Sequence, residues 1–274
     1  MRKMMMAVVM VLGLMAVPVS AQTKPYGAFD VGVECKNVPE WITFSGLVSY
    51  ADQSEMIKAA QCSQRTGMQW VLKFGFDQID NTRNVAQEAR TRAQIAGLLQ
   101  HVIAVQFSEE IYSQPQYDTS SFAARDAIHA YVSEQHRILQ DVFGLPVVYV
   151  DNFYNSNKAY GLAFYKPLPA HTLVFGMETY VPKGGTWDTH VKPFVDYVLA
   201  QPDGISVALI AQTFKHPKEW NDQWQDGPSP SDGQKFKLAL QHPKVIAAWL
   251  FTWKNRINGI IGAASMPSVV GWFR

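Results

Sequence analysis

The sequence carries almost no excess of either charge. Lysine and arginine number 24 against 23 aspartates and glutamates, a formal charge of +1. Such a balance offers no face for a polyanion, so nucleic acid is not an expected partner. Beyond the first 21 residues no run of 18 uninterrupted apolar residues occurs, which removes any later membrane-spanning helix. Cysteine is nearly absent, with only Cys35 and Cys62. The Gly-x-Ser-x-Gly elbow of serine hydrolases is missing. What is abundant is apolar: 47% hydrophobic against 17% charged residues, a composition that excludes disorder. Aromatics reach 12%, with 8 Trp that need a place.

Residues 1–21 read as a cleavable export signal. Arg2 and Lys3 form a basic start, Met4 to Val17 an apolar core short for a bilayer, and Val19-Ser20-Ala21 a small-x-small cleavage site. The mature chain then begins at Gln22 and is secreted or periplasmic, with no membrane insertion after cleavage. An uncleaved N-terminal anchor is the alternative. No cysteine follows the apolar core, which argues against a lipoprotein anchor. Export makes a Cys35–Cys62 disulfide chemically possible. Cys35 ends the expected first strand and Cys62 lies well along the next helix, so spacing leaves the bridge open.

Residues 22–274 match the length of a single (β/α)8 barrel domain of α/β class. Apolar runs recur at Ala28–Glu34, weakly near Gly46–Tyr50, then at Gln69–Phe76, Val102–Glu110, Val147–Tyr154, Thr172–Tyr180, Ile205–Phe214 and Val245–Trp253. Between several lie helical stretches with recognisable ends: Ser54 to Gly67, Asn81 to about Gln100, Ser120 or Ser121 to Gly144, Pro193 at a first helical position, and Ser231 with Gln234 as a capping box. This alternation predicts a parallel sheet, with an irregular first unit allowed. A doubly wound sheet is the alternative, but Glu34-Cys35-Lys36-Asn37 stands where its Gly-rich turn belongs. Connections from helix to strand are terse, while those from strand to helix are long and aromatic, with Tyr154, Tyr160, Tyr165, Trp187, Trp220 and Trp224. In such a barrel the long loops form the functional face. The 19 residues from Lys215 to Gly233 read as a lid carrying Trp220 and Trp224 over the site.

Strand alternation then sorts side chains between helices and barrel interior. It turns Asp30, Gly32 and Glu34 inward, leaving Phe29, Val31 and Val33 to the helices. It likewise turns inward Lys73, Gly75 and Asp77; Gln106, Ser108 and Glu110; Val174, Gly176 and Glu178; and Ala208, Ile210 and Gln212. Strands five and eight are apolar on both phases, and Asp151 points inward only if Val148 and Val150 pack on helices. The expected ring of polar groups at the strand ends is Glu34, Glu110, Glu178 and Gln212, with Asp151 and Trp253. Glu34 or Asp30 is expected to neutralise Lys73, since a buried charge needs a partner. Glu109 has the phase of the helix side and is the second choice to Glu110.

Inward carboxylates without metal ligands suit glycosidic bond cleavage, one carboxyl protonating the leaving oxygen and the other attacking or activating water. His101 and His171 fall at strand starts, away from the functional face, so a metal hydrolase is disfavoured. Neither Thr213-Phe214-Lys215-His216-Pro217 nor Trp253-Lys254-Asn255-Arg256 offers a phosphate cradle. Lys73 as a Schiff-base lysine is the weaker reading beside an ion pair.

The segment Val105-Gln106-Phe107-Ser108-Glu109-Glu110-Ile111-Tyr112 resembles the acidic strand-four end of (β/α)8 glycoside hydrolases, with Glu110 on the acid/base position. Ala247 to Trp253, with Gly259 and Ile260 after it, is similar to the strand-eight Trp segment of that superfamily, where the Trp floors the sugar site. The resemblance implies a glycosidase with a carbohydrate substrate; with the leader read above, the expectation is an exported, monomeric enzyme that needs no cofactor. Together with the strand phases and the loop aromatics, the resemblance gives Glu110 as acid/base and Glu178 as nucleophile or base, with Glu34, Asp151, Tyr180, Gln212, Trp220, Trp224 and Trp253 binding sugar. It departs from the superfamily at strand seven, where many members carry the nucleophile and this chain has Gln212. A non-catalytic, glycan-binding barrel in envelope polysaccharide assembly is the competing reading.

Overall fold

A computed structural model describes residues 24–49, 51–74, 81–111, 120–152, 168–200, 204–215, 228–255 and 260–274. Residues 1–23, which include the expected export signal, Trp220 and Trp224, and Tyr154, Tyr160 and Tyr165 lie outside the described residues. Eight parallel strands close into a barrel in chain order: β1 (Tyr26–Ala28), β2 (Ile42–Val48), β3 (Gln69–Phe74), β4 (Val102–Glu109), β5 (Val147–Asn152), β6 (Val174–Glu178), β7 (Ser206–Gln212) and β8 (Val245–Phe251). The outer layer carries α1 (Gln53–Thr66), α2 (Thr82–Ile95), α3 (Phe122–Phe143), α4 (Lys192–Ala200), α5 (Pro230–Leu240) and α6 (Pro267–Phe273). No helix stands between β1 and β2, where residues 29–41 run through turns, so the first unit is irregular. None of the helices among the described residues is long and apolar enough to cross a membrane.

Local chemistry starts and stops the helices, in places one or two residues from expectation. Asp52, not Ser54, caps α1 by accepting from the Glu55 N–H at 2.8 Å, and Gly67 ends the helix at φ 73°. Ser121 caps α3 through the Ala124 N–H at 3.1 Å, and Gly144 stops it. The capping box of α5 is Ser229 with Asp232, because Pro230 takes the first helical position.

The core has two parts. Between strands and helices lie Trp70, Leu72, Phe74, Val105, Phe107, Tyr149, Phe175, Met177, Val207 and Leu209. Inside the barrel lie Phe29, Phe44, Val71, Ala104, Val148, Val150, Ala208, Ile210, Ala247 and Trp249. The expected phases of β3, β6 and β7 therefore hold wherever those strands are described. At Gly176 a Cβ would stand 2.7 Å from Val150 Cγ2, so the missing side chain gives room to the branched residue on β5.

Strand one corrects the reading. It runs Tyr26–Ala28 rather than Ala28–Glu34, and Phe29 turns inward to stack on Trp249 with ring centroids 4.2 Å apart. Alternation cannot continue past it, because Asp30 at φ 60° and Gly32 at φ 78° leave strand geometry. The loop that follows is pinned to α1 by a Cys35–Cys62 disulfide, Cα–Cα 5.8 Å.

One buried histidine links the helix layer to pH. His136 on α3 is held against Phe107 and Tyr149, with Nδ1 3.1 Å from Thr172 Oγ1. Burial pushes its imidazole down from 6.5 to about 3. Below pH 6.5 the unfolded chain therefore takes up a proton that the folded protein refuses. Stability is full above pH 6.5 and falls by about 1.4 kcal/mol per unit as pH drops toward 3. Thermal unfolding between pH 7 and 4.5 is expected to show this slope in the wild type and a shallower one in His136→Asn.

Candidate functional site

The strand ends bring a cluster of carboxylates to one mouth of the barrel. On β4, Gln106 faces Val148 of β5, but the next pair is Glu109 with Val150, three steps on one strand against two on the other. This irregularity inserts one extra residue. It turns Glu109 from the helix side into the interior, correcting its expected phase. There Glu109 Oε2 accepts from Lys73 Nζ at 2.9 Å and from Gln106 Nε2 at 3.3 Å. Lys73 reaches it across Gly46, where a Cβ would stand 2.7 Å from Lys73 Cδ, and its ammonium lies 4.6 Å from the Phe29 ring centre. The partner of Lys73 is thus Glu109 and not Glu34 or Asp30. Asp30 instead accepts from Thr252 Oγ1 at 2.8 Å.

Glu110 is the first residue after β4. Its N–H donates to Val150 O at 3.0 Å, its φ is 50°, and its side chain is half-buried. A non-glycine residue held in the left-handed region is a costly conformation that clusters at functional sites. Glu178 ends β6 in register with Ile210 on β7, phased inward and buried. Tyr180 stands beside it, its ring 5.3 Å from Phe214 and 6.0 Å from Phe251. Burial pushes the Tyr180 phenol well above its ordinary value, and the charges of Glu178, Glu109 and Glu110 push it further. It therefore stays protonated at working pH beside the Glu178 carboxylate. Gln212 closes the group from β7, its Oε1 accepting from the Val181 N–H at 3.1 Å.

An aromatic group adjoins the carboxylates. Phe251 at the end of β8 lies 5.2 Å from Phe29 and 5.4 Å from Phe214 by ring centroid. It is half-buried whereas Phe29 and Phe214 are buried, so Phe251 is the ring of this group that reaches solvent.

Several expected members are elsewhere. Glu34 follows the turn after β1, faces solvent and pairs with Lys36 at 2.5 Å. Asp151 faces the helix layer and accepts from Tyr149 Oη at 2.8 Å, because Val148 and Val150 fill the interior. Trp253 lies beyond the end of β8 and is buried in the outer core, edge-on to Trp41 at 6.2 Å. Trp187 is likewise buried in that core and is no part of the mouth. Phe29, Phe214 and Phe251 carried no polar signal by which alternation could have assigned them to the site.

The Lys73–Glu109 pair is 21% and 11% exposed. Lys73→Met leaves Glu109 without its counter-charge and is expected to cost about 2 kcal/mol, below the usual 3–5 for a fully buried pair because the mouth admits water. Adding Glu109→Gln should recover most of that loss in urea unfolding.

No family model matches the chain, and no curated protein does. Among solved structures it is similar to an exo-β-1,4-mannosidase from an Opitutaceae bacterium, with TM-score 0.55, 11% identity and 91% of this chain aligned to 55% of that one. It is similar to an endo-β-1,3-glucanase of glycoside hydrolase family 128 from Amycolatopsis mediterranei, with TM-score 0.53, 10% identity, and 92% and 99% of the two chains covered. It also matches a β-glucuronidase from Parabacteroides merdae, with TM-score 0.51 and 9% identity, where 85% of this chain covers only 32% of that one. The chain thus spans about a third of the glucuronidase and about half of the mannosidase. At these identities the likeness is one of fold: this chain folds as the (β/α)8 barrel that these glycoside hydrolases also use.

Proposed function

We propose that the chain is an exported glycoside hydrolase that cleaves a polysaccharide or oligosaccharide with two carboxyl groups. The observation that carries this reading is the gathering of Glu109, Glu110 and Glu178 at the C-terminal ends of β4 and β6 beside buried Tyr180, whose phenol their charges push upward. Glu110, half-buried just past the end of β4 with its backbone held in the left-handed region, is the proton donor to the leaving oxygen. Glu178, buried at the end of β6 beside Tyr180, acts as nucleophile or as the base that activates water. No metal or organic cofactor is required for this chemistry. The export reading is supported by the leader and by the Cys35–Cys62 disulfide, a bond kept in oxidising compartments.

Phe251 takes the sugar-platform role in place of Trp253. An aromatic face contributes about 0.5–1.5 kcal/mol beyond area burial. Phe251→Ala is therefore expected to weaken oligosaccharide affinity several-fold in calorimetric titration, whereas Trp253→Ala should lower stability and leave affinity of the folded fraction unchanged. Equal loss of affinity in both variants would return the platform to Trp253.

The second reading, a barrel that binds glycan without cleaving it, is favoured by Gln212, a neutral amide at the end of β7 held by the Val181 N–H. Hydrolysis assays on a panel of polysaccharides separate the two: cleavage supports the first, and saturable binding without cleavage supports the second.

A further inference from the structure

An ion pair inside a barrel is a poor source of stability. Taking two charges out of water offsets most of their attraction, and apolar residues of similar volume often serve as well. This chain nevertheless makes two backbone accommodations for Lys73 and Glu109. The extra residue in β4 turns Glu109 inward, and Gly46 on β2 omits the side chain whose Cβ would stand 2.7 Å from Lys73 Cδ. Phe44, Val71 and Ala104 fill the interior below. The exposed part of the pair, 21% for Lys73 and 11% for Glu109, therefore faces the C-terminal mouth. An ammonium has three donors. Glu109 Oε2 takes one of them at 2.9 Å and is the single hydrogen-bond acceptor of Lys73 Nζ among the described residues. Donor capacity thus remains at the mouth, directly beside a carboxylate.

We propose that Lys73 and Glu109 are the specificity-determining pair of the site and grip two hydroxyls on adjacent carbons of one sugar ring. Lys73 Nζ donates to one hydroxyl oxygen, and the Glu109 carboxylate accepts from the neighbouring hydroxyl. Two gauche hydroxyl oxygens stand about as far apart as Nζ and Oε2, so both contacts form without parting the pair. Hydrogen bonds to charged groups are about twice as strong as neutral ones, so the loss of either hydroxyl is felt. The ligand class narrows to sugars that present a free vicinal diol to β3 and β4, and a substituent on either hydroxyl is excluded. This inference rests on the site taking a carbohydrate, and it holds whether the barrel cleaves that carbohydrate or only binds it.

Saturation-transfer NMR titration of the full-length protein tests it with the methyl glycosides of glucose, mannose and galactose. Each sugar that binds is then compared with its singly deoxygenated analogues. Removing either of two adjacent hydroxyls is expected to weaken binding to the wild type about ten-fold, and removing any other hydroxyl much less. In the Lys73→Met, Glu109→Gln double variant the parent sugar should bind only as weakly as those two analogues, and their penalty should vanish. Urea unfolding of the double variant separates a lost contact from a lost fold, and the deoxygenated series on the wild type needs no variant. Sensitivity at hydroxyls that are not adjacent, or the same profile in both proteins, overturns the pair while leaving the carbohydrate reading in place. Binding of none of these sugars by the wild type overturns both.

Discussion

Glu178→Gln is expected to lower turnover of a hydrolysed polysaccharide by about 10³-fold, within the 10²–10⁴ range that acid–base and nucleophilic groups contribute. Glu110→Gln should lose a similar amount. Glutamine keeps the shape and still accepts a hydrogen bond, so thermal unfolding should move little even though Glu178 is buried beside Tyr180. It cannot donate a proton or attack as a carboxylate. Glu109→Gln is no neutral control, contrary to what strand alternation implies. Its carboxylate balances Lys73, so its loss should appear as lowered stability as well as altered rate. Wild-type turnover in both Glu110→Gln and Glu178→Gln would end the two-carboxylate account.

The second large effect concerns the loop after β1. Cys35 and Cys62 are separated by 27 residues, and closing a loop of that size restrains the unfolded chain by about 3.5 kcal/mol in the entropy model. Cys35→Ser with Cys62→Ser should therefore lower stability by about 3 kcal/mol, or on the order of 10 °C in Tm for a domain of this size. Reduction of the wild-type protein should reproduce the shift, and reductant should not move the double variant further. Because the same loop continues from Phe29, the ring under Lys73, activity is expected to fall before global unfolding as temperature rises.

Much of the barrel was legible where a strand keeps strict alternation with one face fully apolar. On β7, Val207 and Leu209 meet helices while Ala208, Ile210 and Gln212 turn in, as their periodicity requires. On β6 the same logic put Glu178 inside, and the structure places it there, in register with Ile210. Periodicity of two fails at a single inserted residue, and β4 carries one just before the acidic pair. No residue type marks that bulge in the sequence, so phase put Glu109 on the helix side when it in fact turns inward. β5 is apolar on both faces, which made Asp151 undecidable until Val148 and Val150 were seen to fill the barrel. The β1 and β8 ends failed for a related reason: Phe29 and Trp253 lie where the chain has left the sheet, and there packing rather than alternation chooses the side.

The most direct test of the account is release of new reducing ends from a panel of plant, fungal and bacterial polysaccharides, run in ¹⁸O-labelled water. The wild-type protein should release reducing ends from at least one substrate, with the label at the new anomeric carbon. The Glu110→Gln, Glu178→Gln double variant should release none. No release by a folded wild type across the panel, or equal release by the double variant, would contradict the claim that this barrel cleaves glycosidic bonds with these two carboxyl groups.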